Sequence, residues 1–433
     1  MINYENIIFW CDIGIAIAYV IMLIFFWYYL TYFVLSFKKP RIYEKAKKYT
    51  HFCVIIPARD ESKVIRGILD SLKKQTYPKE YFDVYVVVES KDDPTVKYVK
   101  NAKYNIAYRR NLDGRRRKGF AIEDCLFHLR KIGKYSEYDS FLIFDADNLL
   151  DDNYIEKMND LRISGNYKVG FGYRNFLNAT KNYITINSAI QLAMLNGVFS
   201  KGRSILFDKI MLNGTGYFID KEIIEDAGGW IFNGLTEDVE LTTYCTYHNV
   251  RMGYCEEAQY YDEEPETHKV MHRQHIRWVW GYLQNKDRFK KRGIDYNAKK
   301  PWVRNLAVFE YNFLIWPVVV YIVLAIISFL VMFILFLTSF YFESSKTIYL
   351  FLHSLIPLAS IYVLGFIGTG GVLIANRKQF RFTFWQNMLG LFTFSFWFFD
   401  FIFAFFDGFF HKNKRTKWAK IPHKGNITNK KIK

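Results

Sequence analysis

Apolar residues follow two regimes along this chain. Near both ends they run on almost without a break, whereas between about residues 51 and 302 they come in short groups separated by charged stretches. Residues 7–35 are apolar nearly throughout, with Asp12 the main interruption. A helix needs roughly 20 such residues to cross hydrocarbon, so this run predicts one spanning helix. Three further runs, 315–340, 348–375 and 384–410, predict three more long helices. The last of them carries Gln386, Asn387, Asp400 and Asp407. Asp400 and Asp407 stand two turns apart on one helical face, so this segment is expected to lie at the interface or re-enter rather than cross.

Between the apolar ends, β-rich groups at 52–56, 84–88 and 141–144 alternate with helical stretches such as 63–74 and 121–131. That alternation predicts βαβ units building a mostly parallel sheet. Ligands of such sheets gather at the carboxyl ends of the strands.

Charge refines the picture. The 433 residues carry a net charge of +17, and much of the excess borders the apolar runs. Lys38, Lys39, Arg41, Lys45, Lys47 and Lys48 follow the first run, while no basic residue precedes it. This is not the layout of a secretory signal. By the positive-inside bias, the N-terminus is outside and the central region cytosolic. The nine Lys/Arg of residues 411–433, with no acid among them, argue for a cytosolic tail. Four full crossings would put that tail outside, and a non-crossing 384–410 resolves the conflict. The basic excess therefore points to a multi-pass protein of the plasma membrane in contact with its lipids. No nucleic-acid-binding module accompanies it, and no nucleic-acid partner is expected. Cys11, Cys53, Cys125, Cys245 and Cys255 form no CxxC pair, which argues against a disulfide framework or zinc module and for ordinary buried thiols.

Three short motifs carry chemistry. Asp145 and Asp147 end the apolar group 141–144, where two carboxylates at i, i+2 can converge on a divalent cation and a diphosphate. A solvated acidic turn would look the same in isolation. Thr236-Glu237-Asp238 follows a glycine-rich turn and opens a helix. Such acids are general-base candidates, and equally ordinary helix-start residues. Gln274, Arg277 and Trp278 share one face of a predicted helix, offering a guanidinium for phosphate and an indole for a sugar ring. The same pattern suits an amphipathic helix on a membrane. His268, His272 and His275 lie nearby without a HExxH pattern, so zinc is not expected.

Taken in this order, and with Val54-Ile-Ile-Pro57-Ala-Arg-Asp-Glu61 opening the first βα unit, these motifs resemble the family 2 glycosyltransferases. The likeness runs from about residue 50 to 285. The flanking helices are similar to those of the processive, membrane-bound branch that includes cellulose, chitin, hyaluronan and poly-N-acetylglucosamine synthases. The resemblance implies an α/β fold, with a GT-A-like nucleotide-sugar-binding domain over 50–302. That domain would sit between an N-terminal transmembrane helix (1–37) and a C-terminal bundle of membrane helices (308–410), followed by a basic tail (411–433).

The resemblance also assigns roles. Pro57, Ala58, Arg59 and Glu61 would border the donor nucleotide, with Glu89 where the family usually has Asp. Lys118 would steady the diphosphate, Asp145 would meet the ribose region and the metal, and Asp147 would bind the metal, Mg²⁺ or Mn²⁺. Asp238 would be the base, supported by Glu237. Gln274 and Arg277 would hold the diphosphate, and Trp278 would stack on the acceptor. Trp418, in the basic tail, resembles a gating segment. The implied reaction is inverting transfer of a hexose or N-acetylhexosamine from a nucleotide diphosphate sugar, UDP-sugar favoured, to a growing glycan. The alternatives are one-sugar transfer to a lipid-linked acceptor and a scaffold that has lost catalysis. Intact Asp147, Asp238 and Arg277 speak against the scaffold.

Overall fold

A computed structural model describes residues 4–110, 113–288, 309, 316–341 and 347–410. The tail 411–433 and its expected cytosolic placement, Trp418 included, lie outside the described residues.

Four strands form one half of the sheet: β1 (Phe52–Pro57), β2 (Phe82–Val88), β3 (Asn105–Tyr108) and β4 (Ser140–Ile143). All are parallel, in the order β3-β2-β1-β4. Their apolar runs are continuous because both faces are covered. On one face Cys53, Ile55, Tyr85, Phe141 and Ile143 pack with helix α4 (Lys118–Lys131). On the other, Val54, Ile56, Val84, Leu142 and Phe144 pack with α2 (Ile65–Lys73) and α5 (Tyr154–Ile163). Helix α3 (Thr95–Ala102) links β2 to β3.

Beyond β4 the sheet is mixed, which departs from the mostly parallel expectation. It continues β7 (Tyr217–Asp220), β6 (Val169–Phe176), β8 (Met252–Asp262) and β5 (Leu149–Leu150). Strand β7 runs antiparallel to both β4 and β6. The cause is local. Gly214 and Gly216, with φ of +86° and +68°, turn the chain at the end where β4 leaves the sheet, and the Gly216 amide bonds Ile143 O at 2.9 Å. β7 must then enter from that end. Left-handed backbone of this kind costs glycine nothing and other residues more.

A helical platform covers the far side of this half: α6 (Tyr183–Ala193), a π-helical turn (Met194–Ser200) and α7 (Lys201–Phe207). Next come α8 (Lys221–Asp226), α9 (Glu237–Tyr247) and α10 (His268–Arg288). The apolar runs form α1 (Tyr4–Ser36), α11 (Trp316–Tyr341), α12 (Thr347–Ala375) and α13 (Phe384–Phe410). Among the described residues, three stretches are long and apolar enough to cross a membrane: Val320–Thr338, Phe351–Ala375 and Phe384–Asp407. Helix α1 leaves Phe9, Trp10, Ile17, Val20 and Trp27 exposed, and its Asp12 meets His353 of α12 at 2.6 Å.

These helices end on the platform. Tyr32 lies against Gly202, and Tyr173 donates to Asn376 at the end of α12, 3.1 Å away. Residues 384–410 form one uninterrupted helix, so a re-entrant turn is not formed. About 47% of its apolar window is buried, against 28% and 22% for the other two, because α13 lies along α6 and α10. Asn187 donates to Thr393, and Trp397 to Gln191 at 2.7 Å. Asp400 points into this contact, and Asp407 is half-buried.

Candidate active site

Strand ends supply the first part of the site. Ala58, just past β1, donates its amide to Val87 O at 2.8 Å, which holds the β1 and β2 ends side by side. Arg59 and Glu89 then pair across them at 3.2 Å. Glu61 donates its amide to Thr95 at 3.0 Å. Pro57, Ala58, Arg59, Glu61 and Glu89 thus line one stretch of the sheet edge.

Asp145 lies two residues past β4, its amide bonded to Asn148 and Thr215. Opposite it, Lys118 opens α4. Its ammonium meets Asp145 at 2.5 Å, Gly214 O at 2.5 Å and Glu237 at 3.6 Å. Helix α4 can come this close because residue 119 is glycine, where a Cβ would fall 2.1 Å from Phe232 O. Burial works against the Lys118 charge, but Asp145, Glu237 and Asp238 outweigh it and hold the proton above the ordinary lysine range.

The two acids that open α9 face this lysine. Burial pushes the Glu237 carboxyl up to about 7, Lys118 opposing and Asp238 adding to the rise. Asp238 is raised too, chiefly by burial, with Lys118 and Arg277 favouring its ionised form. Thr236 makes no side-chain cap on α9. The Glu237 and Asp238 carboxyls lie in the Lys118–Arg277 cluster, and both also accept bonds from backbone amides at the start of α9. Helix α10 is brought in by Gly281, which lies directly on Thr236, and by Asn285, which donates to Thr243 of α9 at 3.0 Å. Along α10, Gln274 leaves a buried Oε1 without a hydrogen-bond partner among the described residues. Trp278 is half-buried beside His275.

Asp147 is half-buried next to Asp145 and hydrogen-bonded to Asp262 at the end of β8. Burial, then Asp262 and Asp145, push its carboxyl well above the usual range. Asp262 goes the other way, because Arg174 and the Asp147 bond overcome its burial. Arg174 also donates to Asn213 O at 3.0 Å. Arg174 and a shared proton hold these carboxyls together, and the donors they offer are all hard oxygens. That set suits Mg²⁺ or Mn²⁺. Among the described residues no three His, Cys, Asp or Glu are gathered as a complete ligand group, so diphosphate oxygens would have to complete the sphere.

Residues 50–281 match the family model described as glycosyltransferase-like family 2. The chain belongs to this family. The probable glycosyltransferase YdaM of Bacillus subtilis is 28% identical over 249 residues, 56% of this chain and 57% of that protein. The beta-monoglucosyldiacylglycerol synthase of Synechocystis is 22% identical, covering 54% and 48%. The poly-beta-1,6-N-acetyl-D-glucosamine synthase of Staphylococcus epidermidis is also 22% identical, covering 52% and 53%. The chain thus spans about half the length of the curated relatives it matches. Its fold is shared with the mannosyltransferase PcManGT of Pyrobaculum calidifontis, solved with GDP-Man and Mn²⁺. The two align with a TM-score of 0.53 over 93% of this chain and 100% of that one, at 14% identity.

This glycosyltransferase gathers Lys118, Asp145, Glu237, Asp238 and Arg277 in one place, and sets Asp147 beside Asp145. Sequence reasoning missed Arg174 and gave Asp262 no role. A lone charge, Arg174, inside the mostly apolar Val169–Phe176 was the available signal for the first. The Asp262-Glu263-Glu264-Pro265 stretch was the signal for the second, yet only the antiparallel pairing of β5 with β8, Leu149 opposite Tyr261, brings Asp262 to Asp147. Cys53, Cys125, Cys245 and Cys255 are buried free thiols, as expected.

Proposed function

We propose that this transferase moves a hexose or N-acetylhexosamine, with inversion, from a nucleotide diphosphate sugar to a glycan hydroxyl. The observation that carries the reading is Lys118, bridging Asp145 of the donor side to the Glu237–Asp238 pair, with Arg277 beside Asp238. One cluster thus holds cations for a leaving diphosphate and a carboxylate for an incoming hydroxyl.

The donor nucleotide, UDP favoured, lies along Pro57, Ala58, Arg59, Glu61 and Glu89. Asp145 faces the ribose and Asp147 the metal. Mg²⁺ or Mn²⁺ held by these two acids supplies Lewis-acid neutralisation of the diphosphate when bound. Asp238 removes the acceptor proton as the hydroxyl attacks the anomeric carbon, and the bond to the diphosphate breaks on the opposite face. Its raised affinity for a proton brings it nearer the pH at which a base works best. Lys118 and Arg277 counter the departing charge, Gln274 orients that group, and Trp278 stacks on the acceptor ring.

In this reading α1, α11 and α12 cross the plasma membrane, the catalytic domain faces the cytosol, and polymer growth is coupled to export along the helices. Transfer of one sugar to a lipid carrier is the second reading. It is favoured by the apolar α13 packed directly beside Trp278's helix, and by the glycolipid synthase among the relatives. Product length separates the two.

Asp238→Asn tests the base. Transfer should fall about 10²–10⁴-fold, the range a general base contributes, while nucleotide affinity stays within about threefold. Loss of nucleotide binding in step with transfer would make Asp238 a structural residue.

A further inference from the structure

His268, His272 and His275 repeat at i, i+4 and i+7 and so share one face of α10. That face turns to one carboxylate, Asp400 of α13. His272 Nδ1 meets Asp400 Oδ1 at 2.6 Å, His275 Nδ1 meets Oδ2 at 2.5 Å, and His268 Nε2 lies 3.3 Å from Oδ1. Asp400 is 6% exposed and His275 1%. The contacts have hydrogen-bond lengths, and no metal-ligand group forms here among the described residues.

A buried carboxylate is a poor way merely to glue two helices, since apolar side chains of similar volume do that as well or better. What it adds is direction. Each oxygen takes one imidazole Nδ1, which fixes the rotation of both rings. Burial holds His275 below the ordinary histidine range against the pull of Asp400, so the neutral ring keeps its proton on the bonded Nδ1. The fixed His275 ring lies flat on Phe401, with centroids 3.9 Å apart, and its centroid is 5.5 Å from that of Trp278. Trp278 is three residues further along the same helix, and the functional reading makes it the acceptor's stacking surface.

We propose that Asp400 is a positioning residue for the acceptor side: through His272 and His275 it sets the rotation of α10 and the ring plane of Trp278. The inference rests on the proposed role of Trp278. It gives the polar position in α13 a function in transfer and ties that apolar helix to the active site.

The test uses the full chain in detergent, carrying 5-fluorotryptophan, with Trp278→Phe assigning the Trp278 fluorine resonance. Asp400→Asn and Asp400→Leu should each shift or broaden that resonance. Trp230, whose indole donates to Phe232 O in the catalytic core, should stay in place. In native membranes, label transfer from UDP-N-acetylglucosamine or GDP-mannose should fall at least tenfold, with the donor KM within twofold of wild type. An unmoved Trp278 resonance overturns the proposal. So does movement of Trp230 alongside it, or a loss of transfer matched by a rise in donor KM. If wild-type membranes transfer neither label, it is the reading of these two donors that fails, and the Trp278 resonance alone decides the positioning role.

Discussion

Gly281 of α10 lies so close to Thr236, the residue before the paired acids, that a Cβ there would come within 2.4 Å of the threonine Oγ1 and Cγ2. The helices bearing Asp238 and Arg277 are therefore set against each other through a missing side chain. Gly281→Ala has to push them apart. Helix propensity alone would favour alanine by about 1 kcal/mol, while overpacking costs about 1–3 kcal/mol. The variant should melt near or slightly below wild type yet lose at least tenfold in transfer. Unchanged transfer would mean that α9 and α10 need not touch for the reaction.

Glu237 makes a second expectation quantitative in pH. Its carboxyl is pushed up to about 7 from an ordinary 4.5, so the folded protein binds this proton more tightly than the unfolded chain. The resulting stabilisation is fully present below 4.5 and is lost as pH rises through about 7. The difference is on the order of 3 kcal/mol before relaxation reduces it. Glu237→Gln should flatten the fall in melting temperature between pH 5 and 8. It also removes a negative neighbour of Asp238. The acid limb of the pH–rate profile should therefore move to lower pH in whatever activity remains, and a limb moving upward would contradict the pairing.

Much of this was legible in the sequence, for a physical reason. Strand ends and helix starts are local events, so Asp145 after an apolar run and Glu237 after a glycine turn announce themselves. The four apolar runs likewise read directly as the four long helices. Partnership across the fold does not announce itself. Nothing near Lys118 says that it will bridge Asp145 and Glu237, which lie 27 and 119 positions away. The antiparallel β7 was hidden because two glycine conformations, rather than any apolar pattern, reverse the chain before it. Asp400 was visible as an anomaly in an apolar helix, but its histidine partners lie 125 to 132 positions earlier.

The carboxyl pair Asp147–Asp262 leads to a third expectation. A divalent ion should displace the shared proton and lower both groups, so metal binding should release protons and tighten as pH rises. Turnover should vanish in excess EDTA and return with Mg²⁺ or Mn²⁺, and Asp147→Ala should abolish it under both conditions. Asp262→Asn should weaken Mn²⁺–UDP binding by calorimetry about tenfold or more. Full turnover in EDTA would remove the metal from the account.

The central claim, inverting transfer from a nucleotide diphosphate sugar, is tested most directly by purified full chain in detergent with a panel of UDP- and GDP-sugars and Mn²⁺. The anomeric configuration of the product is read by NMR. At least one α-linked donor should be consumed, its sugar should appear β-linked in the product, and Asp238→Asn should bind the same nucleotide without making that product. An α-linked product from an α-linked donor, or an Asp238→Asn variant that transfers as fast as wild type, would contradict the claim.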